Sequence, residues 1–382
     1  LATDEGDPTE ALAELEAYSL VTRAAERPEF SVHRLVQAVT RHDLQGDGVP
    51  KRLVEALGWV EKAFVADPTD ARNWPVLDPL APHAQAVAGC ADEAGIANPT
   101  ASLFSQLGTL LHSKATYTEA EPLLRRAQTI DEMLYGNQHP IVAIRLNNLA
   151  QLLKATNRLD EAEDLMLRAL AHAEANGDEE GPTLAVRLNN LAALLLETKR
   201  APEAEELMRR ALAIDETIHS IDHPRVAVGL NNLAQILVAT NRQQEAEPMM
   251  LRALAIDEKH YGATHPNVAR DLNNLAMLLV DTNRLAEAEQ LLHKALKINE
   301  QSYDVSHPNV ASVLNNLAAL LYGTDRVDEA EPLMRRGRRI IVQRLGAEHP
   351  TAQRATTNYL LVLQSLGKSP AEIQALMASP DL

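Results

Sequence analysis

The residues of this chain with the plainest chemical potential are histidines and asparagines that return at a fixed spacing. His139, His223, His265, His307 and His349 each stand directly before a proline. Imidazole is a common metal ligand, but one histidine in each long repeat keeps every ring a helix-pair width from the next, too far to share an ion. The spacing fits a local role better: the proline opens a helix at its first position, and the histidine adopts the extended backbone that proline imposes. His83 and Cys90 lie seven residues apart, and two ligands without further partners do not make a zinc site. Arg335, Arg336, Arg338 and Arg339 form the one basic cluster. Nucleic-acid modules add stacking aromatics or a groove-reading helix, and without either the cluster reads as a solvated helix face opposite glutamates. The chain contains no Gly-x-Ser-x-Gly, no His-Glu-x-x-His and no Cys–His pair in a useful register, so catalytic, metal and cofactor roles find no residues to carry them.

The asparagines come in pairs. Leu-Asn-Asn-Leu-Ala starts at Leu146, Leu188, Leu230, Leu272 and Leu314, each copy 42 residues after the last. An amide offers both a donor and an acceptor, so a row of them can hold an extended backbone without reading its side chains. Equally, one amide of each pair can bond a neighbouring helix and never meet a ligand.

A fixed period of this length marks a solenoid, in which one supersecondary unit is stacked on copies of itself. Composition agrees, with 46% hydrophobic residues but only 3% aromatic, an Ala- and Leu-rich make-up suited to helices. In the copy at Leu272, a first helix over 267–281 carries Val268, Leu272, Leu275, Ala276 and Leu279 on one face. Thr282, Asn283 and Arg284 make the turn. Asn157, Asn241 and Asn283 recur where a helix ends in the left-handed conformation, which asparagine tolerates. A second helix over 285–301 turns Ala288, Leu291, Leu292, Ala295 and Ile298 inward. Degenerate copies around Leu103–Gly108 and Ala355–Tyr359 bring the count to seven helix pairs, the last ending in a short helix near Ala371–Met377. In one unit, residues 176–182 replace the His-Pro loop, which predicts an early end to the preceding helix.

The flanks differ. Asp7-Pro8 starts a helix with Ala11, Leu12, Leu15 and Leu20 on its apolar stripe. Leu20–Arg23 and Phe30–His33 read as a hairpin around Glu26, Arg27 and Pro28, and a helix follows over 34–44. Residues 46–98 read as a helical connector that caps the solenoid, with Leu53, Leu57, Val60 and Phe64 at helical spacing and breaks at Pro75, Pro79 and Pro82. The domains are therefore 1–45, 46–98, the repeats at 99–366, and a final cap at 367–382.

Charge and cysteine content narrow the setting. A net charge of -17 would repel nucleic acid and anionic lipid, leaving a basic or neutral protein partner. A single cysteine, Cys90, gives no internal disulfide and suits the cytoplasm. No apolar run approaches the roughly 20 residues that span a bilayer. The start at Leu1, without methionine, suggests a piece of a longer protein.

Asn-Leu-Ala-x-Leu-Leu followed by Glu-Ala-Glu-x-Leu-x-x-x-Ala-Leu resembles the tetratricopeptide repeat, in the long form found in kinesin light chains and bacterial STAND proteins. The resemblance implies an all-α solenoid whose first helices line a concave groove. It places Asn147, Asn189, Asn231, Asn273 and Asn315 as a ladder facing a bound segment, with Asn148, Asn190, Asn232, Asn274 and Asn316 beside them. Specificity would come from variable groove positions: Arg270, Met277 and Asp281 in one copy, Gln235 and Val238 in another, Tyr322 in a third. Replacing Asn231, Asn273 and Asn315 with alanine is then expected to abolish binding and leave melting nearly unchanged.

The amino-terminal segment Ala-Glu-Leu-Glu-Ala-Tyr-Ser-Leu-Val and Phe-Ser-Val-His-Arg-Leu-Val-Gln-Ala-Val resembles the winged helix of bacterial NB-ARC-type STAND ATPases. In that family a Met-His-Asp motif sets a histidine against the phosphates of ADP. His33 matches it, while Arg34 stands in the acidic place. With no Gly-x-x-x-x-Gly-Lys-Ser/Thr loop in the chain, the nucleotide (ADP or ATP) and any oligomerisation through an ATPase domain belong upstream of Leu1. The resemblances together imply a non-enzymatic sensor arm, with a constitutive adaptor similar to the cargo-binding part of kinesin light chains as the alternative.

Overall fold

The structure, a computed structural model, describes residues 21–23, 30–32, 49–175 and 181–378. At the amino-terminal end β1 (Val21–Arg23) pairs antiparallel with β2 (Phe30–Val32), Val21 opposite Val32. His33, the helix start at Asp7, the expected helix over 34–44 and the loop at 176–180 lie outside the described residues.

The connector is helical. It comprises α1 (Val49–Ala63), the four-residue α2 (Trp74–Leu77) and α3 (Ala81–Glu93), with Pro75 and Pro82 in the first turns of α2 and α3. Proline lacks the N–H that a first turn leaves unpaired, so these prolines open helices as well as ending the segments before them. Leu57, Phe64, Leu77 and Ala88 are wholly buried and form one core with Leu103, Leu107 and Leu110 of the first repeat.

Seven helix pairs follow: α4 (Thr100–Ser113) with α5 (Tyr117–Tyr135), α6 (Pro140–Ala155) with α7 (Leu159–Ala175), α8 (Pro182–Glu197) with α9 (Ala201–Ile218), and α10 (Pro224–Ala239) with α11 (Gln243–Tyr261). The last three are α12 (Pro266–Asp281) with α13 (Leu285–Ser302), α14 (Pro308–Gly323) with α15 (Val327–Leu345), and α16 (Pro350–Ser365) with the short α17 (Pro370–Ala378). The buried face of α12 is the one its periodicity predicts: Val268, Leu272, Leu275, Ala276 and Leu279 are at most 4% exposed.

Local chemistry sets the boundaries. Between the two helices of a unit one residue has positive φ, and the position recurs as Ala115, Asn157, Lys199, Asn241, Asn283 and Asp325. Left-handed backbone strains most side chains, and the asparagines ease three of the six turns. Five of the seven first helices begin with a histidine cap: Nδ1 of His139, His223, His265, His307 and His349 accepts from the backbone N–H two residues on, at 3.1–3.3 Å. In α8 Gly181 takes that place and provides no side-chain cap. On the rim at the turns, Arg200 bridges Glu163 of the preceding unit (2.5 Å) and Glu203 of its own (2.7 Å). Arg158, Arg242, Arg284 and Arg326 repeat this pattern and stitch consecutive units together. The basic cluster is similarly engaged, Arg335 with Glu331, Arg336 with Glu300, and Arg338 with Thr356.

Candidate binding groove

Close backbone approaches join first helices of successive units (α6 to α8, α8 to α10, α10 to α12, α12 to α14), while second helices meet mainly the first helices beside them. The first helices therefore line the inside of the curve and the second helices its outside. Along α12 the residues not buried by neighbouring helices are Asn267, Arg270, Asn273, Asn274, Met277, Val280 and Asp281, a stripe at helical spacing on the inner face.

The asparagines do not stand as independent amides. Asn190 Nδ2 donates to Asn147 Oδ1 at 2.9 Å, and the same bond runs from Asn232 to Asn189 (2.9 Å), Asn274 to Asn231 (3.2 Å) and Asn316 to Asn273 (2.9 Å). The second asparagine of each unit thus bonds the first asparagine of the unit before. At the amino-terminal end Asn148 donates to Ser105 Oγ at 3.4 Å, serine standing where later units have the first asparagine. At the other end Asn315 Oδ1 has no partner, and it occupies the space a side chain would need at Gly337. The ladder bears on the expectation of unchanged melting: removal of these amides takes hydrogen bonds out of the stack itself. Asn231 is only 1% exposed, whereas the other nine asparagines are half-buried. Of the variable positions, Gln235, Val238 and Met277 are half-buried, Asp281 is exposed, and Tyr322 is half-buried with its hydroxyl 3.0 Å from Ser365 Oγ.

Three clefts open along this face. One, of about 450 Å³, lies between Ile144, Asn147 and Asn148 of α6 and Val186 and Arg187 of α8, with Arg225 at its edge. A second brings together Asn267, Arg270, Asn273, Asn274 and Asn309, and a third Asn315, Asn316, Arg354 and Asn358. None of the described lining residues in the three clefts is a carboxylate. The three clefts are thus lined by arginines and amides on a chain of net charge -17, which the overall composition conceals.

The acids sit behind the arginines. Asp131 and Arg145 form a buried pair at 2.7 Å where α5 meets α6. At the equivalent junction of α11 and α12 both positions are acidic: Asp257 and Asp271 have no exposed side-chain surface and share Arg270, at 3.1 and 2.8 Å. Burial first, and the neighbouring Asp271 second, push the Asp257 carboxyl up to about 7, and burial raises Asp271 too. Arg270 is therefore held in the second cleft by two carboxyl groups that cannot both ionise comfortably. Asp215, 3.5 Å from Arg225, is likewise raised by burial. A sequence signal for this layer exists, because Asp131, Asp215 and Asp257 occupy one place in the period.

Comparison with known proteins bears on the array directly. A family model described as tetratricopeptide repeat matches residues 99–175, 183–259, 252–301 and 267–341, more than half of the chain. The chain belongs to the tetratricopeptide-repeat family. A second model, a domain of unknown function (DUF7779), matches residues 1–48. This tetratricopeptide-repeat chain is similar to a nucleotide-binding leucine-rich repeat (NLR)-like protein of Hyaloscypha variabilis, 29% identical over 136 residues, 35% of this chain and 14% of the relative. The chain thus matches only a small part of that relative's length. Among solved structures it resembles NprR in complex with its cognate peptide NprX, at TM-score 0.55 and 14% identity over 73% of this chain and 78% of that one. It also matches the nearly identical repeats of a Podosopora anserina protein described as a kinesin light chain, at TM-score 0.43 and 23% identity over 54% of this chain and 97% of that one.

Proposed function

We propose that the inner face of this tetratricopeptide array binds an extended protein or peptide segment, and that the chain is the ligand-sensing arm of a STAND-type signalling ATPase. One observation carries the binding role: amides and arginines line three clefts of the inner face, none of them lined by a carboxylate among the described residues. Amides at regular intervals suit a peptide backbone, and Arg225, Arg270 and Arg354 suit its carbonyl or carboxylate groups. At a distance the net charge favours a basic or neutral partner, and inside the groove these arginines favour acceptor groups. NprR, of the same fold, holds its cognate peptide, and that supports the reading. Asn147, Asn148, Asn189, Asn190, Asn232, Asn273, Asn274, Asn315 and Asn316 are the proposed contacts, with Gln235, Met277, Asp281 and Tyr322 as specificity positions. The role is binding, not catalysis.

The sensor role rests on the amino-terminal segment joined to the repeats and on the likeness to an NLR-like protein. His33 would then sense nucleotide bound by an upstream ATPase domain. Two measurements separate the parts of this proposal. Peptides selected by the full chain from a random display library should protect amides of α6, α8, α10, α12 and α14 from exchange, and protection of the outer helices instead would end the groove reading. Sequencing the gene upstream of Leu1 should reveal a phosphate-binding loop. A heptad coiled coil there, with no such loop, would make the chain a constitutive adaptor.

A further inference from the structure

Three of the five capping histidines also make a contact that the other two lack. His307 Nε2 lies 2.9 Å from the carbonyl oxygen of Ser113, 194 residues earlier in the chain. Ser113 ends α4, and the carbonyls of a last turn have no partner within their own helix. One period further on, His349 faces the carbonyl of Ala155, the last residue of α6, its Nε2 buried but not closing a well-aligned bond. One period earlier, His265 Nε2 lies 3.8 Å from Asp70 Oδ1, at the start of the short turn Ala71–Asn73. The relation advances by one unit at both ends each time, so it belongs to the winding of the solenoid: the later units coil back over the connector and the first two units. Trp74 completes the contact against Tyr303 (5.7 Å between ring centres) and His307 (6.1 Å), and the Arg72 guanidinium lies over Tyr261 at 5.8 Å. Burial follows this division in part: His265 and His307 are 7% and 6% exposed and His139 is exposed, while His349 and His223 are both half-buried.

In His307 both nitrogens are hydrogen-bonded, while in His265 and His349 the buried Nε2 faces the earlier coil without closing a bond. Nδ1 accepts from the backbone of its own helix, so the proton of the neutral ring sits on Nε2, directed at the earlier coil. A second proton would end the Nδ1 bond and place a cation against residues already supplied with arginine. We propose that His265, His307 and His349 form a seam that fastens the second coil of the solenoid to the first while they are neutral and releases it on acidification.

The surroundings of each ring agree. His265 faces Asp70 and Arg72 of the earlier coil, with Arg270 and His260 on its own side. His307 meets the Ser113 carbonyl, Asp304 and Arg344. His349 lies among Arg354, Glu197 and the Ala155 carbonyl. For all three, burial outweighs the nearby acids and lowers the tendency to protonate. A group held neutral in the closed form supports closure fully above the ordinary histidine range, and that support is lost as pH falls below about 6.5. The Asp257–Asp271 pair has the opposite sign, gaining stability on acidification, and cannot mimic the effect. Helices α12, α14 and α16 carry both the seam and the last asparagines, so opening alters the groove they line.

Hydrogen exchange on the full chain tests the seam, with rates corrected for intrinsic pH dependence. Amides in Asp70–Trp74 and Tyr303–His307 should lose about ten-fold protection between pH 7.5 and 5.5, while α8 and α10 stay protected. Asparagine caps a helix well but is too short to bridge the coils. The variant H265N/H307N/H349N, or H307N alone should the triple variant not fold, is expected to show that loss already at pH 7.5. The pair H139N/H223N, with the same cap chemistry outside the seam, should behave as the parent. Unchanged protection in the seam variants, a parent insensitive to pH, or equal opening in H139N/H223N would each overturn the proposal.

Discussion

At the scale of single residues, the asparagines join consecutive units of the stack and are the proposed contacts of the groove. Asn273 to alanine would strand the Asn316 amide that donates to it at 2.9 Å. The expected cost is about 1–2 kcal/mol, read as a lower urea midpoint, together with weaker peptide binding. An unchanged midpoint would mean that solvent replaces the ladder bond. The carboxyl pair yields a pH prediction. Because Asp257 holds its proton in the fold up to about 7, the folded state binds more protons than the unfolded chain between about pH 4 and 7, and stability falls as pH rises through that window. Asp257→Asn should flatten this slope and raise stability at pH 8 by on the order of 1–3 kcal/mol, a change measured by urea titration at several pH values. A steeper slope would show that the buried carboxylate is satisfied as it stands. The paired asparagines were legible from their period. The buried acids share one place in the period, at Asp131, Asp215 and Asp257, but their burial was not legible, because such an acid is indistinguishable from a surface one until the facing helix is known.

At the scale of elements, most of the array could be read directly. Apolar spacing gave both helices of each unit, the left-handed asparagines gave the turns, and His-Pro gave the helix starts, though not the Nδ1 caps. What escaped was the exchange between units. Arg242, for example, joins Glu205 and Glu245 through a pairing that spans 37 residues in one direction and three in the other, which no local pattern announces. The first unit departs from the consensus in a way that packing explains. Gly108 stands where other units have alanine, such as Ala150 and Ala192, and a methyl group there would meet Leu124 Cγ at 2.6 Å. Gly108→Ala, although it restores the repeat consensus, is therefore expected to destabilise by about 1–3 kcal/mol through overpacking against α5. A stabilised variant, measured by denaturant unfolding, would show that Leu124 can move aside at no cost.

At the scale of the whole molecule, period and stacking were legible, whereas winding was not. The contact of His307 with Ser113 depends on small rotations accumulated over nearly five units, each too slight to leave a mark on one unit's residues. The arginine- and amide-lined clefts were hidden for a related reason: net charge sums both sides of the curve, and it does not say which side carries the acids. The groove is the centre of this account, and calorimetric titration of a library-selected peptide tests it most directly, comparing the parent with Asn189→Ala and Asn273→Ala, which sit on half-buried rungs of the ladder. The account predicts a loss of affinity of about ten-fold or more for each variant, roughly one well-placed amide bond to the peptide. Equal affinity in parent and variants, with both variants folded, would contradict it.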